Sequence, residues 1–261
     1  MKEQIQNFLE YLGYQIIKKN SENKYNLNHA SKILTWKKKP IIFDIGANAG
    51  QSIERYNKIF ENPIIHAFEP QKNEINKLKD KFRNNQNIII NNLAVGNKEE
   101  NLEFNTYARR KASSFLKVKK NSKWLRDKIR QTRIDKEKFT IETFNTKVIT
   151  LDNYVKNNQI DKIDILKIDT QGYEDQVLEG AENLIKNNRI EIIELELIFS
   201  EIYEKSLQIY DIEKNLIPHN YKLFGISQGG NLSSRFVYQA DFMYISPNKY
   251  KEFKNSKYFN N

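Results

Sequence analysis

The chain has 261 residues, 39% of them apolar, which is enough to bury one core with at most one appendage. It has no cysteine, so disulfides, thiolate nucleophiles and cysteine-ligated zinc are excluded, and it has only three histidines. The net charge is +10, yet between Ala108 and Lys138 thirteen Lys or Arg face three acids, and 13 − 3 = +10 is the whole excess of the chain. The charge therefore belongs to one basic insert, 108–138, for which a solvated lysine-rich helix is the simplest account.

Residues 1–39 read as an N-terminal helical extension, because charges are mixed into a helical pattern and no uninterrupted apolar run of the secretion-signal kind occurs. No later stretch is long and apolar enough to span a bilayer, so a cytoplasmic location is expected. From residue 40 the pattern alternates between strand and helix. Ile41–Ile45 is short and apolar, Gln51–Phe60 is helical, and Ile64–Phe68 is again a strand. Ile75, Leu78 and Phe82 recur at helical spacing, and Ile88–Ile90 gives a third strand. Leu102–Tyr107 and Phe139–Ile149 look extended and flank the basic insert. IDILKID at 163–169 predicts a buried strand, Val177, Leu178, Ala181, Leu184 and Ile185 a helix, and Ile190–Leu197 a fifth core strand. After a helix near 206–216, strands at Tyr221–Ile226 and Phe236–Ile245 are joined by a loop too short for a crossover helix, which implies an antiparallel hairpin. The sum is an α/β, doubly wound Rossmann-like sheet over 40–247, mostly parallel with a C-terminal antiparallel hairpin. The polar tail 248–261 is expected to be loosely held.

In such a sheet the first βα turn lies closest to a ligand. Here it reads IIFDIGANAG (41–50), with Asp44, Gly46, Asn48 and Gly50 at every second position instead of the G-x-G-x-x-G of a dinucleotide site. An acid ahead of the turn repels a pyrophosphate and suits a cationic ligand carrying an ammonium or a sulfonium. Glu69, in HAFEP at the end of the second strand, stands where a ribose diol is held; the structural alternative is a helix cap. A tight strand-to-helix turn also needs glycine for purely steric reasons.

Six segments, FDIGANAG (43–50), AFEP (67–70), NLAVGN (92–97), TLDNYV (150–155), LKIDTQGYE (166–174) and ADFMYIS (240–246), together resemble the motifs of the FkbM family of S-adenosylmethionine-dependent O-methyltransferases, in order over about 41–246. The resemblance implies a methyltransferase sheet with S-adenosylmethionine as cofactor. It sets Asp44 and Gly46, in the turn shared with Asn48 and Gly50, against the methionine part, Glu69 on the ribose hydroxyls, Asn92 and Ala94 at the adenine, and Asp169 near the ammonium or the methyl group. It also implies a sugar hydroxyl as acceptor, in a nucleotide-activated sugar or a capsular glycan.

A hydroxyl acceptor needs a base, and Asp169, Glu194 and Glu196 are the candidates at strand ends. The strand period of two puts Glu194 and Glu196 on one face, although the acids of EIIELELIF can also be read as ordinary strand-end polar residues. Arg109, Arg110, Lys111 and Arg235, with Ser113 and Ser114, are expected to face an anionic acceptor such as a sugar nucleotide, because guanidinium groups pair with phosphate in forked geometry. His66 reads as a packed core histidine, and the scattered histidines give no reason to expect a metal. Two alternatives stand beside this reading: methylation of a phosphate or phosphoramidate oxygen, and an RNA-binding or RNA-modifying protein in which Phe115 and Trp124 stack bases. No RNA-binding motif is present, which weighs against nucleic acid; homo-oligomers are left open.

Overall fold

The computed structural model describes residues 27–35, 37–108, 112–132, 139–229 and 237–256. Seven strands form one sheet in the order β3-β2-β1-β7-β8-β10-β9. β1 (Ile41–Ile45) runs parallel to β2 (Ile64–Phe68) and to β7 (Ile163–Ile168). β2 in turn pairs in parallel with β3 (Ile88–Asn91), and β7 with β8 (Ile190–Ile198). β10 (Gln239–Ile245) alone runs against its neighbours, β8 and β9 (Lys222–Gly229), as the hairpin reading requires. The strand order reverses between β1 and β7, so their carboxyl ends open a crevice where ligands of such sheets sit.

The alternation of side chains explains the two layers of helix. Ile42, Ile165, Ile192 and Met243 enter one core, while Phe43, Leu166, Ile193 and Phe242 enter the other. Against the first pack α1 (Leu27–Leu34), α2 (Gln51–Ile59) and α3 (Lys72–Phe82), through Leu34, Ile53, Tyr56 and Leu78. The second core receives residues of four other helices, whose ranges follow below.

A smaller sheet interrupts the chain between β3 and β7. β4 (Ala94–Val95) lies parallel to β6 (Thr140–Ile149), which pairs antiparallel with β5 (Glu100–Tyr107). Between β5 and β6 lies α4 (Lys123–Thr132), the described part of the basic insert's helix. It is not simply a solvated helix: Leu125 is buried in a third cluster with Tyr107, Val118, Phe139, Ile202 and Tyr203, and Trp124 packs against it. The basic residues are the outer face of a small folded unit.

Two expectations need correction. The helix expected across 177–185 is two, α6 (Glu174–Glu179) and α7 (Glu182–Lys186), which follow α5 (Leu151–Asn157) and supply Val177, Leu178, Leu184 and Ile185 to the second core. The break falls at Gly180, where an added Cβ would lie 2.0 Å from the carbonyl oxygen of Gly96. α8 (Ile209–Leu216) completes that layer. The tail is also not loose through 254: Pro247–Lys254 is a helix, α9, whose first turn is capped by the Ser246 hydroxyl accepting from the Lys249 amide. Its Lys249 side chain is 4% exposed and pairs with Glu191 and Glu252, which anchors the helix to β8.

Candidate active site

The β1 turn is shaped first by packing. Gly46, Asn48 and Gly50 all have positive φ, at 82°, 47° and 81°. A Cβ on Gly46 would sit 2.0 Å from the Asp169 carbonyl oxygen, and one on Gly50 would meet the Phe82 ring at 2.7 Å. The glycines thus let the turn close against the β7 end and against α3; Gly46 and Asn48 line the cleft, whereas Gly50 is given over to α3. Asp44 is wholly buried beneath the floor. Its Oδ2 accepts from Ser52 Oγ at 2.5 Å, its Oδ1 lies 3.4 Å from Lys167 Nζ, and Oδ1 accepts no hydrogen bond.

Glu69 ties two loops together. Its Oε2 accepts from the Asn48 amide at 2.9 Å, and its Oε1 accepts from the Gln71 amide at 2.9 Å and from Gln71 Nε2 at 3.0 Å. Both readings of this residue are therefore realised: it steadies the approach to α3 and it lines the cleft. Burial raises its carboxyl to about 7, against the pull of the three donors. Asn92 behaves differently from expectation: its amide donates to the carbonyls of Glu69 and Pro70, pinning that corner, while Leu93 and Ala94 line the cleft.

The carboxyl ends of β7, β8 and β10 carry the remaining polar groups. Lys167, with a side chain 14% exposed, reaches Asp44 at 3.4 Å and Asp169 at 3.3 Å. Burial works against its charge, and Asp169 and Asp44 more than offset it, so the ammonium is held above its ordinary range. Glu194 is claimed by α2: Arg55 donates at 2.5 Å and the Tyr56 hydroxyl at 3.1 Å. Glu196 is gripped by two amides, Gln239 Nε2 at 2.7 Å and Gln171 Nε2 at 3.1 Å, and the same Gln171 nitrogen donates to Asp169 at 2.8 Å. Gln171 has a φ of 60°, strained for a non-glycine residue. The loop is held by Glu174, which accepts from the amides of Thr170 and Gly172 and, buried, is raised to about 7. The third acid of EIIELELIF, Glu191, pairs with Lys162 and Lys249 away from the cleft.

These groups line one cleft of about 540 Å³, running from Gly46, Asn48 and Glu69 to Asp169, Glu194, Glu196 and Asp241. Its outer wall comes from β5 (Phe104), the insert (Phe115 and Trp124), the end of β8 (Ile198) and the segment after it (Ile202). Ser113 lines it, but Ser114 does not. The Ser114 hydroxyl donates to the Gln171 carbonyl at 2.9 Å and accepts from the Leu116 amide, and the residue has no exposure, so its part is to hold the loop rather than to meet an acceptor. Arg109, Arg110, Lys111 and Arg235 lie outside the described residues. His66 is a core residue, its ring tilted against that of Phe43 and hydrogen-bonded to the Tyr154 hydroxyl, and burial lowers it to about 4. Among the described residues no group of three acids or histidines is placed to hold a metal ion, and no helix is long and apolar enough to cross a membrane.

Sequence reasoning missed Lys167, Gln171 and Asp241 as site residues. A lysine inside a strand otherwise made of Ile, Leu and Asp was the available signal for the first, and the position before Gly172 for the second. Asp241 lies in the motif segment ADFMYIS, but its place beside Glu196 depends on which strand lies beside β10.

The model of the methyltransferase FkbM domain matches residues 44–223. The chain belongs to that family. Its boundaries run from the acid beneath the cleft floor into β9, so the FkbM domain contains the whole insert. Among solved structures, the FkbM methyltransferase of Methylobacillus flagellatus is similar over 80% of this chain and 45% of its own, with 13% identity and a TM-score of 0.51. The chain thus spans less than half the length of that protein. An rRNA methylase of Streptococcus thermophilus is similar over 88% of this chain and 98% of its own, with 10% identity and a TM-score of 0.46. No curated protein sequence matches.

Proposed function

We propose that this FkbM domain transfers a methyl group from S-adenosylmethionine to a hydroxyl oxygen of a sugar, in a nucleotide-activated or capsular glycan acceptor. The observation that carries the reading is the charge of the cleft: Glu69, Asp169, Glu194, Glu196 and Asp241 against Arg55 and Lys167, each cation already bound to an acid. Such an excess of carboxylates favours a cationic guest, since unpaired burial of like charges is expensive.

The residues fit that cofactor. Asp44 Oδ1 is a buried acceptor without a donor under the floor, and Glu69 uses three of about four acceptor positions of a carboxylate. A ribose hydroxyl would find the remaining acceptor position on Glu69. When bound, S-adenosylmethionine supplies an electrophilic methyl group on a sulfonium. Glu69 would hold the ribose, Ala94 would border the adenine, and Asp169 would face the charged end, kept in place by Lys167 and Gln171. On the other side Glu196, fixed by two amides, is the base for the acceptor hydroxyl, and the apolar wall excludes water. Phe115 and Trp124 offer flat faces to the C–H side of a sugar ring. Arg109, Arg110, Lys111 and Arg235 are assigned to the acceptor's phosphates; Ala112, next to the first three, lines the cleft.

Calorimetry tests the cofactor. S-adenosylmethionine and S-adenosylhomocysteine should both bind, and Glu69→Ala should weaken both by roughly 1.5–3 kcal/mol. Tight NAD binding with no affinity for either would sink the reading. Alanine at Arg109 and Arg110 should raise the acceptor KM in a salt-dependent way; tight sequence-independent RNA binding lost in that variant would favour a nucleic-acid substrate instead.

A further inference from the structure

Asp241 faces Glu196 directly across the antiparallel β8–β10 pair, and Met243 faces Glu194 one step further along. Residues directly opposite in such a pair point to the same face, with Cβ atoms about 4.5–5.5 Å apart, and two like charges so placed repel. Both acids line the cleft. Among the described residues the cations lining the cleft are paired with other acids, Arg55 with Glu194 and Lys167 with Asp44 and Asp169. Gln171 and Gln239 present N–H groups to Glu196, and they orient it without neutralising it. Among the described residues, the charged and titratable groups around the pair are Lys167 and Asp169 from β7 and its end, Glu194 from β8, Arg55 from α2 and the Tyr203 hydroxyl, with acids in excess.

Resting on the methyl-transfer reading, we propose that Asp241 is the partner carboxylate of Glu196, and that the two together receive the proton lost by the acceptor hydroxyl. In the step, the acceptor O–H bond breaks and its proton passes to Glu196. The oxygen's electron pair forms the bond to the methyl carbon, and the pair of the breaking C–S bond stays on sulfur. The carboxylates hold the single proton between them until solvent takes it. Two opposed carboxylates retain a proton to higher pH than one, as in dyads that cannot both ionise freely. The surroundings agree: burial, then Asp169 and Asp241, raise Glu196 to about 7, and burial, then Glu194 and Asp169, raise Asp241 to about 6. A base is most effective when its proton affinity matches the working pH, and Asp241 tunes Glu196 toward neutrality. It is a positioning residue in this scheme; Glu196 meets the acceptor.

The experiment is a carboxyl-carbon NMR titration of the full chain with labelled Asp and Glu, which needs no cofactor. In the wild type the Glu196 signal should titrate in two steps, with the upper one near neutrality. In Asp241→Asn it should collapse to one step lying lower by about one pH unit. The rising limb of kcat/KM against pH should move down in parallel. A Glu196 titration identical in Asp241→Asn and wild type would overturn the pair. Should Asp241→Asn fail to fold, Asp241→Ser and the reciprocal Glu196→Gln, which should lower the Asp241 titration, carry the same test. Failure of the functional reading looks different: no binding of S-adenosylmethionine, with the coupled titration intact.

Discussion

The two ends of the cleft are built by different means. At the β1–β2 end the backbone does the work: the turn is closed by glycines in the left-handed region, and Glu69 is held by the amides of Asn48 and Gln71. At the β8–β10 end side chains do it, with Glu196 gripped by two glutamines and Glu194 by an arginine and a tyrosine, under a wall of aromatic and aliphatic groups. Backbone donors cannot be exchanged by substitution, but side chains can. The first end is therefore fixed by the fold, whereas the second can be altered by substitution.

Breaking the backbone-built end should cost most. Gly46→Ala forces a Cβ within 2.0 Å of the Asp169 carbonyl at a φ of 82°, and a loss of about 4 kcal/mol or more in denaturant unfolding is expected. A well-folded alanine variant would show that the turn is softer than its contacts imply. Lys167 joins the two ends, and Lys167→Met leaves Asp44 and Asp169 without their shared cation; a loss of about 3 kcal/mol is expected, largely restored by adding Asp44→Asn. Absence of that rescue would remove Lys167 from the role of charge partner.

Glu174 sharpens the comparison through pH. Burial lifts its carboxyl to about 7 in the fold, above the ordinary value of 4.5, so its contribution to stability is full below 4.5 and is lost as pH rises through 7. The wild type should therefore lose roughly 1–3 kcal/mol relative to Glu174→Gln between pH 4.5 and 8, read as a closing or inverted gap in unfolding free energy. A gap independent of pH would mean that the carboxyl titrates alike in the folded and unfolded chain and is not raised by burial. The smallest effect belongs to the side-chain wall: Trp124→Ala should raise the acceptor KM several-fold, about 1 kcal/mol, with cofactor affinity unchanged. An equal loss of cofactor binding would erase the distinction between the ends.

Much of this was legible in order along the chain. The strands from Ile41 to Leu197 declare themselves because they are buried on both faces and so read as Ile- and Leu-rich runs, broken by acids near their ends. Asp44, Glu69 and Asp169 stood out for the same reason, as single charges at the ends of apolar strands. Ser114 and Asn92 did not behave as expected, since a short polar side chain serves equally to hold a loop or to meet a ligand, and only its neighbours decide.

What the sequence determined by itself is therefore the local part: the alternation of strand and helix, the tight glycine turn after the first strand, and the family to which these motifs belong. What only the tertiary structure decided is which charges meet. Lys167 sits between Asp44 and Asp169, Arg55 reaches Glu194 from 139 positions away, and Asp241 lies opposite Glu196 because β10 inserts between β8 and β9. Proton affinity in a cleft depends on distance and burial, and neither is a property of neighbours in sequence.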